Sequence, residues 1–204
     1  EESTGDNAII IAPGAAASIS PSDLISKTEL INSADVFVTQ LEQPMDAALK
    51  GLEIAKSGGI TTVLNPAPAA ELPNGMLHLC DYVTPNEIET EALTGISVET
   101  IEDAKQAADT LKKMGVSTPI ITLGEKGAYL YGHGLVPAFK IGPVVETTGA
   151  GDAFNGGFAA GLSNGMAPLA AVRMGCATAG ISVTRAGTAP SMPGKVEVEK
   201  LLQE

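Results

Sequence analysis

The chain is 204 residues long, enough for one sizeable domain with its own core, and with 44% hydrophobic and 18% charged residues it is neither disordered nor a disulfide-stapled miniprotein. Asp and Glu number 24 against 12 Lys and Arg, and the formal charge of −12 repels phosphate backbones and anionic lipid heads; Trp is absent, with only three Tyr and four Phe to stack on single strands. Nucleic acid is excluded as a partner on these grounds, whereas a small anion held by backbone N–H groups or by a metal ion is not.

Ala8 to Ala12 is a β-branched run ending at Pro13-Gly14, and Ser20-Pro21 is an N-cap and N1 pair that predicts a helix to about Asn32. Asp35 to Leu41 predicts a second strand, Pro44 opens a helix ending at Gly58-Gly59, and Ile60 to Leu64 predicts a third strand. Asn65 to Ala69 holds two prolines and is a loop. Asp81 to Thr84 is a short strand closed by Pro85. Asn86 to Leu93 suits a helix stopped at Gly95, and Thr100 to Met114 a longer amphipathic one with Gly115 after it. Pro119 to Leu123 is a strand, Gly124 to Gly127 a turn, Ala128 to Tyr131 a hairpin partner, and Leu135 to Val145 holds further extended segments. Ala153 to Leu162 and Ala167 to about Val183 are small and apolar all round, which predicts two fully buried helices, and Val196 to Leu201 predicts a terminal helix. Strands alternating with helices predict an α/β fold with a mostly parallel sheet covered on both faces, and without repeats or linkers residues 1–204 are expected to form one domain.

The most apolar region, Phe154 to Val183, is broken by Asn164 and Arg173, so no membrane span is expected. The N-terminal segment lacks the basic and then apolar layout of a signal peptide, which makes a cytoplasmic location the expectation. Cys80 and Cys176 sit in apolar runs and are expected to be buried free thiols.

The chemistry concentrates in Thr147-Thr148-Gly149-Ala150-Gly151-Asp152, between an extended segment and a buried helix. Its glycines let successive N–H groups face one point at a helix N-terminus, and the helix dipole favours the ionised form of Asp152. Such a carboxylate could take a proton from an alcohol while the amides stabilise a transferring phosphoryl group. Alone, the same residues are better described as a glycine turn with a capping Asp. A dinucleotide fingerprint is excluded because Phe154 stands where its third glycine would fall, and no Walker A sequence occurs. Asn86 could cap a helix or meet a ligand. Glu89, one turn on, could hold hydrated Mg²⁺ or remain a solvated acid, and Glu42 could meet a sugar hydroxyl or lie on the surface.

In order along the chain, Gln40-Leu41-Glu42, the run from Leu64 to Ala69 (LNPAPA), Thr84 to Glu89 (TPNEIE), Ile121 to Ala128 (ITLGEKGA) and Glu146 to Phe158 (ETTGAGDAFNGGF) resemble the ribokinase branch of the PfkB-type carbohydrate kinases. The resemblance covers the C-terminal two-thirds of such a kinase. It implies a ribokinase-like three-layer α/β/α sandwich lacking the N-terminal strands and most of the lid. It also implies transfer of the ATP γ-phosphate to the 5-hydroxyl of D-ribose, with Asp152 as general base and the Gly149, Ala150 and Gly151 amides as anion hole. Asn86 and Glu89 match the motif that organises Mg²⁺ and the phosphates. Thr122, Leu123, Gly124, Glu125, Lys126, Gly127 and Cys176 match the lining of the ATP site, and Glu42 a ribose contact. An activating monovalent cation, usually K⁺, is implied at Glu146, Thr148, Ser182, Arg185, Gly187 and Ser191, and a homodimer is the family's common assembly.

Two residues depart from that pattern. Glu146 stands where the family usually has Asp, and its extra methylene moves the carboxylate by about a bond length. Cys176 stands where His is frequent, near the adenine. With the first third of the family's length unmatched, a second reading is a nucleotide-binding fragment without turnover.

Overall fold

The computed structural model describes residues 12–203; all but the last residue of the strand expected over Ala8 to Ala12 lies outside the described residues. After a 3-10 turn at Gly14–Ser18 come two short helices, α1 (Pro21–Ser26) and α2 (Thr28–Asn32), in place of the single helix the sequence predicts. The break falls at Lys27, whose φ of −108° and ψ of 13° are not helical. The Ser26 and Thr28 hydroxyls donate to the carbonyls of Asp23 (2.7 Å) and Ile25 (2.8 Å), side-chain bonds that compete with helix propagation.

Strands β1 (Val36–Thr39), β2 (Thr61–Leu64), β3 (Tyr82–Val83) and β4 (Thr118–Thr122) pair in parallel, and β5 (Gly127–Leu130) and β6 (Gly134–Pro137) extend the sheet antiparallel, in simple order from β1 to β6. Helix α3 (Met45–Ser57) makes the crossover from β1 to β2, while α4 (Glu87–Thr94) and α5 (Ile101–Lys113) connect β3 to β4. Helix α5 is closed by a reciprocal cap: the Thr100 hydroxyl accepts from Asp103 N–H at 3.2 Å and the Asp103 carboxylate accepts from Thr100 N–H at 2.8 Å. Of the stretch Leu135 to Val145, only its start belongs to a strand. The remainder is irregular and is tied down where the Val145 and Glu146 amides donate to the Val183 carbonyl at 2.8 and 3.2 Å.

Successive strand residues point to opposite faces, and both faces are covered, as near-continuous apolar parallel strands require. Leu64 and Ile121 face α3 and α5, packing with Leu52, Ala108 and Leu111; Val63 and Ile120 face α6 (Ala150–Ser163) and α7 (Pro168–Ser182), packing with Phe158 and Val172. Phe158 meets the Tyr82 ring edge-on at 5.1 Å and lies near-parallel to Phe154 at 6.1 Å. The α6–α7 pair packs closely enough that a Cβ on Gly161 would fall 2.9 Å from Ala171 Cα. Helix α8 (Lys195–Gln203) closes the chain over α7 through Val198. Burial of α6 is not complete. Gly151, Asp152, Gly156 and Ala160 form an exposed stripe, so small apolar composition here serves an open surface as well as a core. Among the described residues β1 is the end strand of the sheet, with β2 as its neighbour, and Val38 is 39% exposed. Among the described residues no helix is long and apolar enough to cross a membrane.

Candidate active site

Parallel register makes the C-terminal end of the sheet a place where polar residues converge. Thr39 is paired with Leu64 and Leu64 with Val83, so the first residues beyond β1, β2 and β3, namely Gln40, Asn65 and Thr84, stand side by side. The ladder continues through them: Asn65 N–H donates to the Thr39 carbonyl and Thr84 N–H to the Leu64 carbonyl, both at 2.9 Å. Open α/β sheets bind ligands at this end.

The N-terminus of α6 faces the same point. Gly149, its N-cap, has φ of +83°, a left-handed conformation that a side chain makes costly. The Ala150 amide donates to the Thr147 carbonyl at 3.1 Å, so of the three amides expected to form an anion hole this one is already engaged in a turn. Gly149 and Gly151 N–H groups have no backbone acceptor among the described residues, and a Cβ on Gly151 would meet nothing within 4 Å, which leaves its amide open to approach.

Consecutive residues of this first turn line two different cavities. Asp152 lines a polar one of about 360 Å³ with Gln40, Gln43, Asn65 and Asn155. Its carboxylate Oδ1 accepts from Gln40 Nε2 at 3.0 Å. Gly151 lines a larger cavity, about 410 Å³ and mainly apolar, that runs between Phe139, Phe154, Cys176 and Gly180 to Asn86. The polar network behind Asp152 was not assigned a role from sequence. Gln40 Nε2 also donates to Asn65 Oδ1 (3.2 Å), Asn65 Nδ2 to the Thr84 carbonyl (3.0 Å), Thr84 Oγ1 to Asn155 Oδ1 (2.7 Å) and Asn155 Nδ2 to the Gly151 carbonyl (2.9 Å). The available signal is a polar residue directly after each of β1, β2 and β3. Glu42 is exposed and is not among the residues lining the polar cavity; Gln40 and Gln43 on either side of it are.

Thr122, Gly124, Glu125 and Gly127 line the apolar cavity together with Cys176, and two residues of that segment turn elsewhere. Leu123 is buried in the core on the α3–α5 face, and Lys126 donates to the Glu99 carbonyl at 2.9 Å. Burial pushes the Cys176 thiol up to about 12.

Asn86 caps α4: its Oδ1 accepts from Glu89 N–H at 2.8 Å, while the Glu89 carboxylate accepts from Asn86 N–H (2.9 Å) and Asn86 Nδ2 (3.1 Å). Glu89 is buried, and burial raises its carboxyl above the ordinary value, the Asn86 N–H pulling the other way and the Glu87 charge adding to the rise. Among the described residues no group of three or more His, Cys, Asp or Glu converges as a metal cage. A buried carboxylate hydrogen-bonded to Asn86, which lines the apolar cavity, fits a cation held through water, the manner Mg²⁺ prefers.

Of the residues expected around a monovalent cation, Glu146 and Gly187 are joined directly, Gly187 N–H donating to Glu146 Oε2 at 2.7 Å. The end of α7 is brought beside them through the Val183 carbonyl. Ser182 and Ser191 are buried, with hydroxyl hydrogens directed to the Ala179 and Thr188 carbonyls, so their oxygen lone pairs remain as acceptors. Thr148 is half-buried nearby in sequence, and Arg185 is turned away into an ion pair with Glu197.

A helix N-terminus with open amides and a carboxylate, set between two cavities at the C-terminal end of a parallel sheet, has the layout of a phosphoryl-transfer enzyme. The chain belongs to the pfkB family of carbohydrate kinases, which residues 1–195 match. It is 38% identical to a ribokinase of Staphylococcus aureus (strain COL) over 97% of this chain and 66% of that protein. To a deoxyribokinase of Salmonella typhi it is also 38% identical, over 92% of this chain and 62% of that protein. The solved structure of Arabidopsis thaliana ribokinase, complexed with ribose and ATP, superposes with a TM-score of 0.90 at 32% identity, covering 99% of this chain and 67% of that one. The fold is accordingly the ribokinase-like α/β fold, and the chain spans just under two thirds of the length of these two curated relatives.

Proposed function

We propose that this chain carries the nucleotide-binding and catalytic part of an ATP-dependent ribose kinase. ATP lies in the apolar cavity with its γ-phosphate at the N-terminus of α6. The sugar lies in the polar cavity, and Asp152 takes the proton of its 5-hydroxyl as that oxygen attacks phosphorus in line. The observation that carries this reading is the placement of Gly151 in one cavity and Asp152, the next residue, in the other. The Gly149 and Gly151 amides, aimed along the helix dipole, stabilise charge on the transferring phosphoryl oxygens. Asn86 and Glu89 would hold Mg²⁺ through water, and the ion would neutralise phosphate charge. K⁺ would sit near Glu146, with Glu146 first exchanging its Gly187 partner.

ADP release on adding ribose, with ATP, Mg²⁺ and K⁺ present, tests the assignment. Ribose-dependent turnover that drops about 10²- to 10⁴-fold in Asp152→Asn supports it. Unchanged turnover in that variant removes Asp152 from the mechanism.

A second reading is a nucleotide-binding chain without turnover of its own. It is favoured by the exposure of Val38, a residue that lines the polar cavity from the sheet-edge strand β1. ATP binding by calorimetry, with no ribose-dependent ADP release, would select it.

A further inference from the structure

We infer that Gln40 is a positioning residue for Asp152, with its amide polarity dictated by backbone carbonyls through a relay of neutral side chains. This inference rests on Asp152 being the base.

A carbonyl oxygen only accepts, so the group facing the Thr84 carbonyl must be the Asn65 amide nitrogen. Asn65 Oδ1 therefore faces Gln40, and the group meeting it must be Gln40 Nε2, whose second hydrogen points at Asp152 Oδ1. The far side of the network is fixed in the same way. Asn155 Nδ2 must donate to the Gly151 carbonyl, so its Oδ1 accepts from Thr84 Oγ1.

Asn65, Thr84 and Asn155 are each less than a tenth exposed, where a flipped amide would leave unsatisfied groups. At the other end Gln43 Nε2 donates to the Gln40 carbonyl and, at 2.7 Å, to Thr39 Oγ1, pinning the turn from which Gln40 projects. Gln40 thus presents Asp152 with a donor only. It occupies Oδ1, fixes the carboxylate rotamer and leaves Oδ2 for the acceptor hydroxyl.

The contact can be read by NMR in the 204-residue chain without substrate. The expected result is a Gln40 side-chain amide whose proton shifts follow the Asp152 carboxylate carbon through an acid titration, with that pH dependence lost in Asp152→Asn. An amide that ignores the carboxylate overturns the inference. In the ribose-dependent assay, Gln40→Met should lower kcat about 10- to 100-fold with the KM for ATP unchanged, the scale expected when a reacting group is misplaced by about an ångström. Gln40→Glu has the same shape but turns an acceptor toward both Asp152 and Asn65, and should lose more.

If both variants keep wild-type kcat while Asp152→Asn does not, the positioning role is wrong and the base survives. If Gln40→Met raises only the KM for sugar, Gln40 is a substrate contact and the inference is overturned. If Asp152→Asn itself keeps full turnover, the base assignment fails, and with it the catalytic meaning of Gln40.

Discussion

The two ends of the same strands carry polar clusters of opposite design. Beside the start of β2, Asp81 has every acceptor side engaged: Oδ1 receives Lys56 Nζ at 2.6 Å, and Oδ2 receives Thr62 N–H at 3.0 Å. The Thr62 hydroxyl in turn donates to the Leu79 carbonyl at 2.6 Å and accepts from Asp81 N–H at 2.9 Å. At the opposite end Asp152 receives one neutral donor on Oδ1 and, among the described residues, none on Oδ2. A saturated carboxylate clasps structure together, whereas one held by a single donor is oriented and still free to react.

Exchanging activity for stability as the readout should separate the two. Asp152→Asn is expected to have the largest effect, about 10²- to 10⁴-fold on ribose-dependent turnover, with a thermal midpoint close to wild type because the residue is exposed. Gly149→Val should follow, with about 10²- to 10³-fold lower turnover from disturbed amides. It also pays about 1–2 kcal/mol for a β-branched residue at a positive φ, measurable by denaturant unfolding. Asp81→Ala should reverse the pattern: about 1–3 kcal/mol of stability is lost as Lys56 and Thr62 lose their acceptor, while kcat in the same assay stays put. A turnover defect in Asp81→Ala matching that of Asp152→Asn would erase the distinction between the two ends.

The pH dependence of unfolding sharpens the comparison further. Burial alone would raise the Asp81 carboxyl, but the donors from Lys56 and Thr62 outweigh it and hold the group below its ordinary value. Its contribution is therefore present above the unfolded-state pKa and fades as pH falls through the lower folded value. Glu89 has the opposite sign. Burial raises it, so its contribution is full below the unfolded value and fades as pH rises through the elevated one. Glu89→Gln should flatten that upper limb in a pH series of melts, and Asp81→Ala the acid limb.

The smallest expected effect is chemical. Cys80 and Cys176 are both pushed up to about 12 by burial, so neither should react with a thiol reagent near pH 8 until the chain unfolds. Rapid labelling of either thiol in the folded chain would contradict the packing described around it.

Much of this architecture was legible in the residues themselves. Caps and stops marked the helices: Thr100 opens α5, Gly95 ends α4 at φ of +73°, and Pro44 precedes α3. The break at Lys27 was not legible, because it arises from Ser26 and Thr28 hydroxyls choosing carbonyls that a helix would also tolerate. The glycine loop at Gly149 to Asp152 stood out through composition and order. What sequence could not reveal was which amide is free, since the Ala150 turn bond to Thr147 is a matter of local dihedrals. Gln40, Asn65, Thr84 and Asn155 lay inside recognised stretches, yet they are separated by up to 71 residues within single hydrogen bonds. Strand register brings Gln40, Asn65 and Thr84 side by side, and the packing of α6 against the sheet adds Asn155. Periodicity also misjudged α6, because an apolar small-residue stripe looks the same whether it meets another helix or empty space.

The first turn of α6 acts as a ruler. Neighbouring positions on it, about 1.5 Å apart along the axis, belong to separate compartments, and no hinge intervenes between them. Remodelling around Gln43 or Ala159 could change which acceptor enters while the compartment behind Gly151 stays as it was. In the proposed assignment the step between donor and acceptor compartments spans a single peptide unit, so variants of this scaffold would diversify whom they modify far more readily than how far the transferred group must travel.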